Sequence, residues 1–130
     1  MKQVSFKKEI DANLEVAIKK VEAAIKPEGF GLLTRIDFDK KMKEKLNKDM
    51  APLVILGACN PNLAFEAYQM KSDVTALLPC NIIVREIGKD RVSIEVAKPS
   101  AIMEILGDQT LVNLAKDADM MLARALESIK

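Results

Sequence analysis

The side chains best equipped for chemistry are two cysteines, Cys59 and Cys80, each followed directly by an asparagine. Cys59 lies in the run Gly57-Ala58-Cys59-Asn60-Pro61, and Cys80 in Pro79-Cys80-Asn81. Asn60-Pro61 reads as a helix start, because asparagine is a favoured N-cap and proline is pre-organised for the first helical position. The continuous apolar run before it, residues 53–56, reads as a strand buried on both faces. The spacing therefore sets Cys59 at a strand-to-helix turn. There its sulfur would meet unsatisfied amides and the positive end of the helix dipole, a setting that favours the thiolate. The same amides could hold a carboxylate or phosphate, and Gly57 would let a ligand or another backbone approach closely. The plainer reading makes Cys59 a small buried apolar side chain at a tight turn.

The second cysteine sits in a less regular setting. Pro79 cannot donate to a sheet ladder, so it predicts a bulge, an edge or a redirected backbone group near the start of a strand over residues 77–86. Asn81 falls in an apolar stretch and, if buried, needs partners from backbone, water or a ligand. A Cys59–Cys80 bridge would require neighbouring strands.

The chain has no histidine. That removes Ser-His-Asp and Cys-His catalysis, histidine-ligated metals and the usual general base near neutral pH. Two cysteines cannot complete a four-ligand zinc shell, which leaves two-thiolate copper(I) as the remaining sulfur-based site. No metal and no cofactor is expected.

The elements that must position these residues follow from periodicity. A short strand at Val4 and Phe6 is followed by a helix with its cap at Asp11 and an apolar stripe of Leu14, Ala17, Ile18, Val21 and Ile25. Glu15 with Lys19, and Glu22 with Lys26, stand at i,i+4 on its wet face. Pro27 and Gly29 end it. A second strand runs through Phe30, Leu32, Thr34 and Ile36, and a weak helix covers residues 39–48. Beyond the two cysteine runs, Gly88-Lys89-Asp90 turns the chain into alternating Val92, Ile94 and Val96, a hairpin. A short helical turn begins near Pro99. Gly107 stops it, and Asp108 caps a last helix with Leu111, Ala115, Ala118, Leu122, Ala125 and Ile129 on one face. The order β-α-β-α-β-α-β-β-α-α predicts an α+β fold, with helices packed on a mixed sheet of about five strands.

Size and composition fit one domain over residues 1–130, large enough to fold around its own core. With 20 basic and 19 acidic side chains, no Trp, one Tyr and four Phe, the chain lacks both the basic excess and the stacking aromatics of a nucleic-acid binder. The polar first ten residues do not resemble an export signal, and no apolar run approaches a membrane span. A cytoplasmic protein with free thiols is expected.

Three segments together resemble a known family. They are Gly29-Phe30-Gly31-Leu32-Leu33-Thr34-Arg35-Ile36-Asp37, Ile55-Leu56-Gly57-Ala58-Cys59-Asn60-Pro61 and Leu77-Leu78-Pro79-Cys80-Asn81. In this order they resemble the bacterial and archaeal family known as domain of unknown function 302, over nearly the whole chain. The resemblance implies a compact α+β homodimer and brings no reaction, cofactor or substrate with it. By analogy it also implies that the two Cys-Asn motifs form one site.

Three functions compete. The first is a dimeric domain holding a small anionic or electrophilic ligand at Gly57, Cys59, Asn60, Pro61, Cys80 and Asn81. The second is a thiol-dependent or redox enzyme with Cys59 as the catalytic group and Asn60 or backbone amides stabilising negative charge. The third is a structural or partner-binding protein with both cysteines buried.

Overall fold

The computed structural model describes residues 3–130. The strands are β1 (Ser5–Asp11), β2 (Gly31–Asp37), β3 (Leu53–Cys59), β4 (Cys80–Gly88) and β5 (Arg91–Ala97). The α-helices are α1 (Leu14–Ile25), α2 (Phe38–Leu46), α3 (Pro61–Met70), α4 (Pro99–Met103) and α5 (Gln109–Ser128). Short 3₁₀ segments at Lys26–Glu28, Ser72–Leu77 and Glu104–Leu106 join some of them. The element order is the one the periodicity predicts.

The strands form one sheet in the order β1-β5-β4-β3-β2. Every adjacent pair is antiparallel, which corrects the expectation of a mixed sheet. The reason lies in the connections. Each link between neighbouring strands turns back on itself, whereas a parallel pair needs a crossover. The long crossover through α1 joins β1 to β2, and these two lie at opposite edges of the sheet.

Alternation decides which face is covered. Val54, Leu56, Ile82, Val84, Val92, Ile94 and Val96 are buried, and they meet the apolar stripes of α1 and α5 in one core. The stripe read from the sequence holds in both helices: Ala17, Ile18, Val21 and Ile25 are buried, as are Leu111, Ala115, Ala118, Leu122, Ala125 and Ile129. β3 is therefore not buried on both faces, since its Leu53 and Ile55 are only half-covered. The register lays Ile36, Ile55, Ile83, Glu95 and Lys7 side by side across five strands on the face opposite α1 and α5.

Several ends differ from the sequence expectation for local reasons. Asp11 stays in β1, and Asn13 caps α1 by accepting from Val16 N at 2.9 Å. Glu15 pairs with Arg35 of β2 through two hydrogen bonds, at 2.6 and 3.1 Å. That contact holds the Glu15 carboxyl below its usual range. β2 carries a bulge between Leu32 and Thr34, so Leu32 packs on the core while Thr34 turns to the other face. β4 begins at Cys80, because residues 72–77 coil into 3₁₀ turns and Pro79 has no N–H to donate to the ladder.

Gly57 is used by the protein itself. A methyl group there would collide with Thr34 Oγ1 and lie 2.7 Å from Pro79 Cγ. What approaches this glycine is thus a side chain from β2 and a proline ring, not a ligand. Gly57→Ala should lower the unfolding free energy in urea by roughly 1–3 kcal/mol through overpacking. Truncating its exposed register partner, Asn81→Ala, should change it by no more than about 0.5 kcal/mol.

Candidate functional site

β3 ends at Cys59, the chain leaves the sheet over residues 60–79, and β4 resumes at Cys80. Ala58 pairs with Cys80 across the ladder, so this excursion starts and returns at one end of two adjacent strands. Its two feet are fastened differently. At the first, Asn60 Oδ1 accepts from Leu63 N at 3.2 Å, while Asn60 Nδ2 donates to Glu28 O at 3.2 Å. Gly29, at φ 85°, leaves the space this amide needs, since a Cβ there would stand 3.0 Å from Asn60 Nδ2. At the second, the Pro79 ring lies against Gly57.

Between the excursion and α5 lies an apolar cavity with about 60 Å³ of free space. Cys59, Asn60 and Cys80 line it together with aliphatic side chains, and none of the described lining residues is charged. It follows a seam between two separately packed clusters. Phe30, Ala58, Leu63 and Ala118 belong with the main core, whereas Ala67, Val74, Leu78, Met103 and Ala115 belong with a second, smaller cluster.

The structure thus brings together three of the six residues singled out from the sequence. Gly57 is occupied by Thr34 and Pro79. Asn81 is exposed one step along β4, where alternation turns it away from the buried face. Its place in an apolar run misled because Ile82 and Val84 are core residues while Asn81 and Ile83 face outward. Pro61 is exposed at the first position of α3 and borders a separate, open groove with Lys19, Lys26 and Gly31.

The model of the family described as Domain of unknown function DUF302 matches residues 6–129. The chain belongs to the DUF302 family. Among solved structures it is similar to the uncharacterized conserved protein DUF302 from Bacillus stearothermophilus, at 26% identity and a TM-score of 0.92. That match covers 99% of this chain and 100% of the other. No curated protein matches it. The DUF302 fold therefore keeps its whole architecture while about three-quarters of the side chains differ.

In this DUF302 chain the thiols are held in their protonated form. Burial pushes the Cys59 thiol up, not down as the helix start alone would suggest. At the start of α3, Pro61 has no amide N–H, Leu63 N goes to Asn60 Oδ1 and Ala64 N to Asn60 O at 2.9 Å. Cys80 is pushed up to about 11, first by burial, then by the neighbouring Cys59 and by Asp119.

Asp119 belongs to none of the sequence motifs. It is 8% exposed on α5 and accepts from Ser100 N at 2.9 Å and from Ser100 Oγ, so a buried carboxylate caps the start of α4. Its signal is positional. On the helical wheel it neighbours Ala115 and Leu122, four and three residues away on the buried stripe. Among the described residues, no group of three or more His, Cys, Asp and Glu is arranged to hold a metal ion, and no helix is long and apolar enough to cross a membrane.

The raised thiol gives a pH signature. Folded Cys80 keeps its proton above the pH at which an unfolded thiol loses it. Its contribution to stability is therefore constant below the unfolded value and falls as pH climbs towards 11. Alkylation of Cys80 by iodoacetamide, followed by peptide mass spectrometry, should show its inflection near about 11. In Asp119→Asn, where a negative charge is removed, the inflection should move down. An unchanged inflection would mean that Asp119 does not act on this sulfur.

Proposed function

We propose that this DUF302 domain is a homodimeric binding protein for a small, neutral, electrophilic ligand, held where Cys59, Asn60 and Cys80 meet the apolar cavity. One observation carries the reading. The two cysteines, 21 residues apart in sequence, border one cavity whose remaining lining is almost entirely hydrocarbon. Such concave apolar sites with a few convergent polar groups are where small molecules bind. A soft, polarisable pair of sulfurs suits an electrophilic or polarisable group.

An anionic ligand has less support, because no cation lines the described cavity and the amides of Leu63 and Ala64 are already bonded. Catalysis through a Cys59 thiolate has less support for a related reason, since burial favours the thiol over the nucleophilic form. The cavity also limits ligand size: about 60 Å³ is well below the roughly 150 Å³ of an engineered cavity that admits benzene.

Two methanethiosulfonate reagents of different charge test the site. Neutral methyl methanethiosulfonate should modify Cys59 and Cys80 at least about tenfold faster than its anionic sulfonatoethyl analogue, because carrying a charge into an apolar site is costly. Equal rates would place the sulfurs on an open surface and remove the reading. Filling the cavity by Ala115→Phe should slow the neutral reagent.

The homodimer implied by the family resemblance has a natural face in the row Ile36, Ile55 and Ile83. Ile36 is 46% exposed while Ile55 and Ile83 are half-buried, and a partly exposed apolar row of this kind fits a two-fold, self-complementary contact. Sedimentation velocity should find a dimer at micromolar concentration and a folded monomer for Ile83→Lys. A wild type that sediments as a monomer throughout would remove the dimer.

A further inference from the structure

The two edges of the sheet are built differently. On β1, Lys7, Lys8, Glu9 and Asp11 take four of the seven positions, and Lys8 Nζ donates to Glu127 O at 2.9 Å. A charged edge of this kind resists pairing with another chain. β2, at the opposite edge, carries no charge from Gly31 to Thr34. Its Arg35 and Asp37 are bonded to each other, and Glu15 holds Arg35 as well. Five of its seven residues are exposed, Leu33 at 67%. From Thr34 to Asp37 it keeps an unbroken register with β3, so its free side presents a regular row of backbone donors and acceptors.

A groove runs beside this edge. Its wall is one stripe of α1, made of Glu15, Ile18, Lys19, Glu22, Ala23 and Lys26, and Leu32 and Leu33 line it from β2. Two open depressions of about 750 and 380 Å³ share Lys19, Glu22 and Leu32, and so form parts of one groove. Arg35 meets Glu15 at one end and Lys26 borders Gly31 at the other, so helix and strand lie side by side. From Glu15 to Lys26 the wall rises roughly 17 Å, about the length of five extended residues. Its charge is uneven. Among the described residues, the side chains of Lys19, Glu22 and Lys26 make no ion pair or hydrogen bond. The end at Gly29 and Gly31 therefore has two free cations against one free anion, whereas Glu15 and Arg35 neutralise each other at the far end.

We infer that β2 and α1 form a docking groove for an extended peptide segment of a partner protein, which joins β2 as a sixth strand of the sheet. Apolar side chains at alternate positions of the segment lie in the groove, and its C-terminal end carries a carboxylate. The direction follows from the sheet, whose neighbouring strands are all antiparallel. A strand added antiparallel to β2 ends beside Gly31, where Lys19 and Lys26 stand. The carboxylate belongs either to a chain end or to an acidic side chain. None of this depends on the cysteine cavity.

A short acetylated peptide that alternates valine with threonine serves as the probe in three forms: the free acid, the C-terminal amide, and an amide whose last residue is aspartate. Amide hydrogen exchange on the full chain reads where it lies. With the free acid at about ten times its dissociation constant, the fast-exchanging amides of β2 should slow by roughly tenfold, and those of β1 should not change. The free acid or the aspartate form should bind at least about threefold tighter than the plain amide, a gain that salt weakens. Whichever form shows the gain tells chain end from side chain. Lys19→Gln combined with Lys26→Gln should remove the gain and leave the plain amide's affinity as it was. Alternate N–H groups of a strand face the same neighbour, so N-methylating one alternate set of the peptide should abolish binding and methylating the other should spare it. No binding by any form, protection of β1 as strong as that of β2, or equal effects of the two methylated sets would overturn the added strand. Equal affinities of all three forms would overturn the carboxylate. If β2 amides are already protected in the protein alone, and more so as its concentration rises, a second copy of this chain holds the edge and the peptide is overturned.

Discussion

Pro79 packs against Gly57 on one face of the sheet, with Thr34 beside it, and the geometry of the two cysteines depends on this contact. A side chain at position 57 would push the proline ring away and displace the point at which β4 begins. Because the ring can settle there, Cys80 enters the ladder opposite Ala58, one residue from Cys59. Residues 60–79 then leave and rejoin the sheet at one place, and the helix they contain is laid over the end of the core. The missing Cβ of one residue thus determines where two sulfurs meet a cavity.

Two cores with a seam are the second consequence. The sheet, α1 and the C-terminal half of α5 enclose one cluster, while α4, the 3₁₀ segment at Ser72–Leu77 and the N-terminal half of α5 enclose another. A single long helix belongs to both, and Asp119, near the change-over, fastens α4 to it through Ser100. The cavity lies along the join. Its low polarity explains why both thiols keep their protons, since ionising either would put charge where water and cations are scarce.

Much of the fold was legible from single residues. Asn60 and Asp108 cap the helices they were expected to cap, and Gly29 and Gly107 adopt the left-handed backbone that ends a helical segment. The alternation of Val92, Ile94 and Val96 marked a half-buried strand, and the stripe from Leu111 to Ile129 marked a helix on a core. Asp11 misled because Asn13 offers an equivalent side chain two residues later, and pairing with Arg91 keeps Asp11 in its strand. The site was legible in part. The motif named Cys59, Asn60 and Cys80, which line one cavity, but it could not distinguish them from Gly57 and Asn81. Which way a residue faces depends on the register, and one step along a strand reverses the side.

The chain alone determined the elements, their order and the absence of histidine chemistry, because caps, periods and residue types act over a few neighbouring positions. The tertiary structure decided the antiparallel strand order, the ionisation of the thiols and the enclosure of the cavity. Each of these depends on what lies across a gap from a residue and not on what precedes it. Partial burial raises the Cys59 thiol, and the nearby Leu63 amide already has another partner. Which groups surround a side chain is set by the packing of distant segments, and local sequence carries no direct record of that.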